Sequence, residues 1–342
     1  MNITVLGAGM GLAAAHALKK LGHAVLLIDK DVDVLDRANK QLDKVEGEHA
    51  VAKDIAINFE HDCILSCLPY FKNLEIAKVC IDNGVRYCDL GGSVEVQNEI
   101  EAYAQKATKP LALSLGLAPG LINIVAESLI AQHGVPEELN MYVGGLPNPA
   151  IIREGYRRTW SVDGLYNEYV APCEALVEGE IVTEDGMSGI HNVGEYDAFM
   201  TSGGISNSLK SFKEHGIVHA KYFTLRNPGH YSEVKSLLGG GLTPDQVKAA
   251  FTKLYPWTKD DMVVTAIMMY YQNVQINYSK IYFSDPEFSA MQKCTGFSAA
   301  SVVDLVAKGT FDFTHDQILK TRLVEYQDIT PDFFLNLTKL GL

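Results

Sequence analysis

The first thirty residues leave few folds open. Ile3–Leu6 is a short apolar run, followed by Gly7-Ala8-Gly9-Met10-Gly11, helical spacing over Leu12–Leu21, Gly22, and a second apolar run, Ala24–Ile28, ending on Asp29. The order is strand, glycine turn, helix, strand, acid. Glycines let the main chain turn sharply and approach a diphosphate, while a helix N-terminus offers free N–H groups and partial positive charge. Asp29 lies about twenty positions beyond Gly9, where a carboxylate at the end of the second strand can grip a ribose hydroxyl. The pattern predicts a dinucleotide site built from Gly7, Gly9, Met10, Gly11, Asp29 and Lys30. Asp29 repels a 2′-phosphate and favours NAD, while Lys30 and Lys53 leave room for NADP. The usual spacing is Gly-x-Gly-x-x-Gly. Here the third glycine comes one residue early, and Ala13, Ala14 and Ala15 are expected to permit the close helix–strand approach in its place.

The same alternation continues. Val32–Val45 has helical spacing, Glu48–Ala52 reads as a third strand, Asp62–Leu68 as a fourth and Val85–Leu90 as a fifth, with a helix over Leu74–Asn83 between the last two. Ser93 is placed to cap a helix running to Ala107, and Leu111–Leu115 is a sixth strand. Such a rhythm specifies an α/β fold, an N-terminal doubly wound parallel sheet of Rossmann type. Ligands of such sheets sit beyond the C-terminal strand ends, which hold Cys67, Leu68, Pro69, Tyr70 and Asp89. The first three suit the walls of a cofactor site. Leu121–His133 is helical, and then the rhythm changes. Met141–Leu146, Thr159–Asp163, Ala175–Thr183, Ile190–Ala198, Lys221–Leu225 and Met262–Phe283 read as strands, with helices at Asn207–His215, Ser232–Leu238 and Pro244–Leu254. An α+β substrate and dimerisation domain with a mainly antiparallel sheet is expected. The boundaries read 1–120 for the nucleotide domain, completed by about 289–342, and 121–288 for the second.

A net charge of −13 argues against nucleic acid as a partner, though not against a dinucleotide, which needs only a local anion site. No apolar run has the length of a membrane span, and the chain opens directly on a strand, so no signal peptide is expected. The six cysteines include no Cys-x-x-Cys pair; they read as reduced core thiols of a cytoplasmic protein, and no metal site is expected.

Nine stretches run in order through the chain: Val5-Leu-Gly-Ala-Gly9, Ser66-Cys-Leu-Pro-Tyr70, Gly84-Val-Arg-Tyr-Cys-Asp-Leu-Gly-Gly92, Gly116-Leu-Ala-Pro-Gly120, Gly144-Gly-Leu-Pro147, Trp160–Tyr169, Ala198–Gly204, Thr224–His230 and Ala290–Gly296. Together they resemble the saccharopine dehydrogenase family, most of all its short lysine 6-dehydrogenase branch. The resemblance implies NAD(P)-linked oxidation of a C–N bond in a lysine-derived amino acid. In the lysine branch hydride leaves the ε-carbon, water adds to the imine and ammonia departs. Saccharopine dehydrogenase or reductase and carboxynorspermidine dehydrogenase are the related alternatives. A nucleotide-binding regulator without catalysis is the alternative from another class, motivated by the shortened glycine turn.

Such chemistry needs a cation for the substrate carboxylate and a group that takes a proton from the ammonium. Arg226 offers a planar fork for the carboxylate, with Arg153, Arg157 and Arg158 competing for that role. Asp89, at a strand end, and His230, beside an expected loop, are the candidates for proton transfer, and Glu168 for holding the ammonium. Tyr70 is placed to orient substrate or nicotinamide. The apolar Met262–Tyr271 stretch suggests a homodimer.

Overall fold

The computed structural model describes residues 1–53, 60–151, 155–312, 323–329 and 332–342. Arg153 lies outside the described residues. The chain forms two compact units, one made of Met1–Ile124 and Gln292–Leu342 and the other of Val125–Met291.

The first unit opens with β1 (Asn2–Leu6), α1 (Gly11–Lys20), β2 (Ala24–Ile28), α2 (Val32–Leu42), β3 (His49–Ala52), β4 (Cys63–Ser66), α3 (Asn73–Asp82), β5 (Arg86–Asp89), α4 (Val94–Ala104), β6 (Leu111–Ala112) and the start of α5 (Leu121–His133). The six strands pair in parallel in the order β3-β2-β1-β4-β5-β6. Strand order reverses beside β1, the switch point where such sheets bind their ligands. The central strands are unbroken apolar runs because both faces are covered: Ile3, Val5, Leu27, Ile64 and Leu65 have no exposed surface. Asp31 caps α2 by accepting from the Asp33 and Val34 amides, and Ser93 caps α4 through Val96. β6 is shorter than the apolar run predicts, because Ser114 takes a left-handed conformation (φ 60°) and turns the chain.

The second unit contains β7 (Glu138–Pro147), α6 (Val162–Val170), β8 (Cys173–Val177), β9 (Glu180–Glu184), β10 (His191–Val193), β11 (Tyr196–Met200), α7 (Ser206–His215), β12 (His219–Arg226), α8 (His230–Gly239), α9 (Pro244–Leu254), β13 (Asp261–Tyr270) and β14 (Gln275–Phe283). The strands form one sheet in the order β10-β11-β12-β7-β13-β14, with β8 on β12 and β9 on β8. All pairings are antiparallel except β12 with β7. Three long runs read as single strands are hairpins, turned at Glu178-Gly179, at Gly194 and between Tyr270 and Gln275. Thr159–Asp163 is not a strand. Ser161 accepts from the Gly164 amide and starts α6, so a cap overrides the β-propensity of Thr159, Trp160 and Val162. Tyr169, Phe199, Val234, Phe251 and Tyr255 gather α6, α8, α9 and β11 into one buried cluster.

The chain then enters α10 (Ala290–Ala307), whose first amides, Ala290 and Met291, donate to the buried Asp261 carboxylate at 2.5 and 3.0 Å. Within the first unit α10 packs against α1, and α11 (Asp332–Leu340) against α10, where Asn336 bonds Asp304. Leu323 bridges Leu111 in parallel beside β6, and the Tyr326 hydroxyl donates to the Ser114 carbonyl at 2.8 Å.

Candidate nucleotide cradle and substrate site

At the tip of β1, Gly7 adopts φ 91°, and a Cβ there would stand 2.8 Å from the Cys67 carbonyl oxygen, so only glycine fits. Gly9 is exposed, and a Cβ on it would meet nothing within 4 Å. Met10, half-buried, precedes α1 without any side chain capping the first amides. Open main chain leading into uncapped helical N–H groups fits the diphosphate of a dinucleotide. Gly11 does the work expected of the alanines: a Cβ there would meet Val5 Cγ1 at 2.9 Å and Cys67 Cβ at 3.1 Å. Ala13 and Ala14 serve a different contact. A Cβ on Gly296 of α10 would lie 2.7 Å from both the Ala13 Cβ and the Ala14 nitrogen, so these small residues let two helices close on each other.

Asp29 ends β2 with both oxygens engaged. Oδ2 accepts from the Ala8 amide at 2.7 Å and Oδ1 from the Asp31 amide at 2.9 Å. It therefore braces the glycine turn. Lys30 is exposed beside it.

The other strand ends are tied together. Cys67 and Leu68 are half-buried and Pro69 is exposed; Tyr70 begins a 3-10 turn to Lys72, and a Cβ on Gly92 would meet its Cβ at 3.1 Å. Asp89 is buried, and its Oδ1 accepts from the Ser114 amide at 2.8 Å and the Gly91 amide at 2.9 Å. Burial raises its carboxyl above the usual range, against the pull of those donors.

In the second unit, Glu168 and Tyr169 on α6, Thr201 after β11, Thr224 and Arg226 on β12, and His230 at the start of α8 converge. Arg226 Nη2 lies 3.1 Å from Glu168 Oε2, an ion pair between a buried guanidinium and a half-buried carboxylate. Glu168 Oε1 also accepts from the Thr224 hydroxyl at 2.6 Å and the Thr201 hydroxyl at 3.4 Å. Arg226 Nε donates to the Tyr169 hydroxyl at 2.9 Å, and that hydroxyl lies 2.9 Å from His230 Nε2. The guanidinium stands over the Tyr156 ring, 5.1 Å from its centre. His230 opens a helix directly after the exposed turn Pro228-Gly229, as expected, but its side chain is buried; burial, then the Arg226 charge, holds its imidazole well below its usual pKa. Arg157 and Arg158 are half-buried, and Arg158 Nε has no partner among the described residues.

Arg226, Glu168 and His230, chosen separately from the sequence, thus stand in one bonded chain, while Asp89 and Tyr70 belong to the strand ends of the first unit. Tyr169, Thr201, Thr224 and Tyr156 escaped the sequence reading. Thr224 had a signal: two positions from Arg226 on a strand, it shares the same face. Tyr169 had none beyond its place next to Glu168.

A parallel sheet with this strand order, a glycine turn entering an uncapped helix, and a second mixed-sheet unit define an NAD(P)-binding oxidoreductase architecture. Residues 3–113 match the saccharopine dehydrogenase NADP binding domain and residues 116–339 the saccharopine dehydrogenase C-terminal domain, so the chain belongs to the saccharopine dehydrogenase family. The mitochondrial alpha-aminoadipic semialdehyde synthase of Rattus norvegicus is 29% identical over 145 residues, 40% of this chain and 16% of that protein. The Mus musculus protein of the same name is 28% identical over 195 residues, 53% of this chain and 21% of that one. The chain spans about a fifth of the length of these curated relatives. Among solved structures, apo saccharopine dehydrogenase (L-Glu forming) from Saccharomyces cerevisiae superposes with a TM-score of 0.70 at 15% identity, over 99% of this chain and 96% of that one, a likeness of fold.

Proposed function

We propose that this protein is an NAD-linked oxidoreductase acting on the C–N bond of a lysine-derived amino acid, with L-lysine oxidised at its ε-carbon as the leading substrate. The observation that carries this reading is the Arg226–Glu168 pair, a buried cation and a half-buried carboxylate side by side with two threonine hydroxyls. An amino acid presents the complementary carboxylate and ammonium. Arg226 binds the α-carboxylate and Glu168 the α-ammonium beside it, which leaves the ε-amine free to react. The bound nicotinamide supplies the hydride acceptor. Water then adds to the substrate imine and ammonia leaves. Asp89, with Oδ1 committed to two amides, shapes the strand-end loops, and His230 is assigned no proton transfer.

NAD rather than NADP is favoured by local charge: Asp29, Asp31 and Asp33 crowd the end of β2 against Lys30. We further propose a homodimer, supported by the exposed Val274 beside the edge strand β14 and by Ile281 and Phe283 on it, to be tested by sedimentation. The six free thiols suit a reducing compartment, the cytoplasm in this proposal.

NADH formation with L-lysine, followed by near-ultraviolet absorbance, tests the reading. Turnover of saccharopine but not lysine moves it to saccharopine oxidation, which the unpartnered Arg158 Nε favours, because that substrate carries further carboxylates. Calorimetric NAD binding without turnover of any amine leaves a nucleotide-binding regulator.

A further inference from the structure

We infer that Tyr169 and His230 are positioning residues of this site: a neutral His230 orients the Tyr169 hydroxyl, and that hydroxyl sets the direction of the Arg226 guanidinium. The inference rests on the reading of Arg226 as the carboxylate-binding group.

Nε is the one guanidinium nitrogen with a single N–H, so its partner fixes the rotation of the guanidinium plane, and that partner is the Tyr169 oxygen at 2.9 Å. An oxygen that accepts there must send its own proton elsewhere. Tyr169 is fully buried, and burial holds its phenol well above the usual pKa, so the proton stays. The acceptor in reach is His230 Nε2, also at 2.9 Å. Nε2 therefore carries no hydrogen, and the neutral ring bears its proton on Nδ1. That nitrogen is buried and has no partner among the described residues, so the preferred tautomer is the one that serves Tyr169 rather than His230 itself.

A protonated ring fails on two counts. Its Nε2–H would aim at an oxygen already accepting from Arg226, leaving the hydroxyl proton without an acceptor. It would also bury a second cation beside the guanidinium. The groups facing the imidazole are the Tyr156, Tyr169 and Tyr255 rings and Arg226; Glu233, on the same helix, is bonded by the Tyr255 hydroxyl. None of those facing the ring is an anion that would favour protonation. The remaining guanidinium bonds, Nη1 to the Leu225 carbonyl at 3.0 Å and Nη2 to Glu168, complete the orientation.

Two measurements test this on the full chain. In the 15N-labelled protein, His230 should show the neutral Nδ1–H pattern unchanged from pH 5 to 8; an Nε2–H or imidazolium pattern overturns the inference whatever the substrate. In the steady state with the amino acid that the enzyme turns over, Tyr169→Phe should raise KM about tenfold with kcat held within about twofold. His230→Gln keeps an acceptor near Nε2 and should stay within about threefold of the parent, while His230→Leu should match Tyr169→Phe. Equal defects in the Gln and Leu variants, or a lowered Tm with unchanged KM in Tyr169→Phe, overturn the positioning role. If Arg226→Ala itself leaves KM unchanged, the carboxylate reading fails and the positioning inference falls with it; a raised KM there with none in Tyr169→Phe rejects the inference alone.

Discussion

Asp304 of α10 and His23, in the turn before β2, share a 2.7 Å hydrogen bond although they are 281 positions apart in sequence, and both are buried. The same carboxylate accepts from Lys308 Nζ at 2.6 Å and Asn336 Nδ2 at 2.9 Å, so one acid joins the last two helices to the nucleotide-binding sheet. Burial works to raise its carboxyl, but the hydrogen bonds from His23, Lys308 and Asn336 overcome that and hold it at about 2.

An acid-stability limb follows. The folded value lies below that of an unfolded aspartate, about 4, so the contribution is present above that pH and is lost as pH falls toward the folded value. Asp304→Asn should cost about 2 kcal/mol at neutral pH and remove this part of the acid dependence. Urea midpoints from pH 7 downward measure both effects.

Gly296→Val should destabilise by about 3 kcal/mol, since even a Cβ at that position lies 2.7 Å from Ala13 and Ala14. Displacing α1 would also disturb the amides at its N-terminus, so calorimetry should find weaker NAD binding in whatever fraction stays folded.

Asp29→Ala should weaken NAD binding, and unchanged affinity would remove the residue from the site. It should also lower stability, because the Ala8 and Asp31 amides would lose their acceptor, at about 1–2 kcal/mol in a thermal or urea melt.

Glu168→Gln should cost about 3 kcal/mol by leaving the Arg226 guanidinium buried without its counter-charge. It should also raise KM, through loss of the ammonium partner, more than it lowers kcat. A stability loss with KM unchanged would make the pair structural.

The nucleotide-binding half was legible because its signals are local. β1, the glycine turn, α1 and β2 are consecutive; Gly7 answers to the Cys67 carbonyl just past β4 and Gly11 to the Val5 and Cys67 side chains; and buried parallel strands read as plain apolar runs. In the second unit the strand-forming runs were found but their turns were not: Gly179 and Gly194, both left-handed, lie inside runs read as single strands, and the Tyr270–Gln275 connection has neither glycine nor proline. α6 was missed because aromatic and β-branched residues concealed a serine cap.

Residue type nominated Arg226, Glu168 and His230 only within the family-like stretches Trp160–Tyr169 and Thr224–His230, where a guanidinium, a carboxylate and an imidazole suit the chemistry the resemblance implies. Their assembly into one chain through Tyr169 required folding: α6 had to lie across β12, bringing together residues 57 to 61 positions apart. Helix packing and strand register decide such meetings, and neither leaves a periodic trace in the order of amino acids.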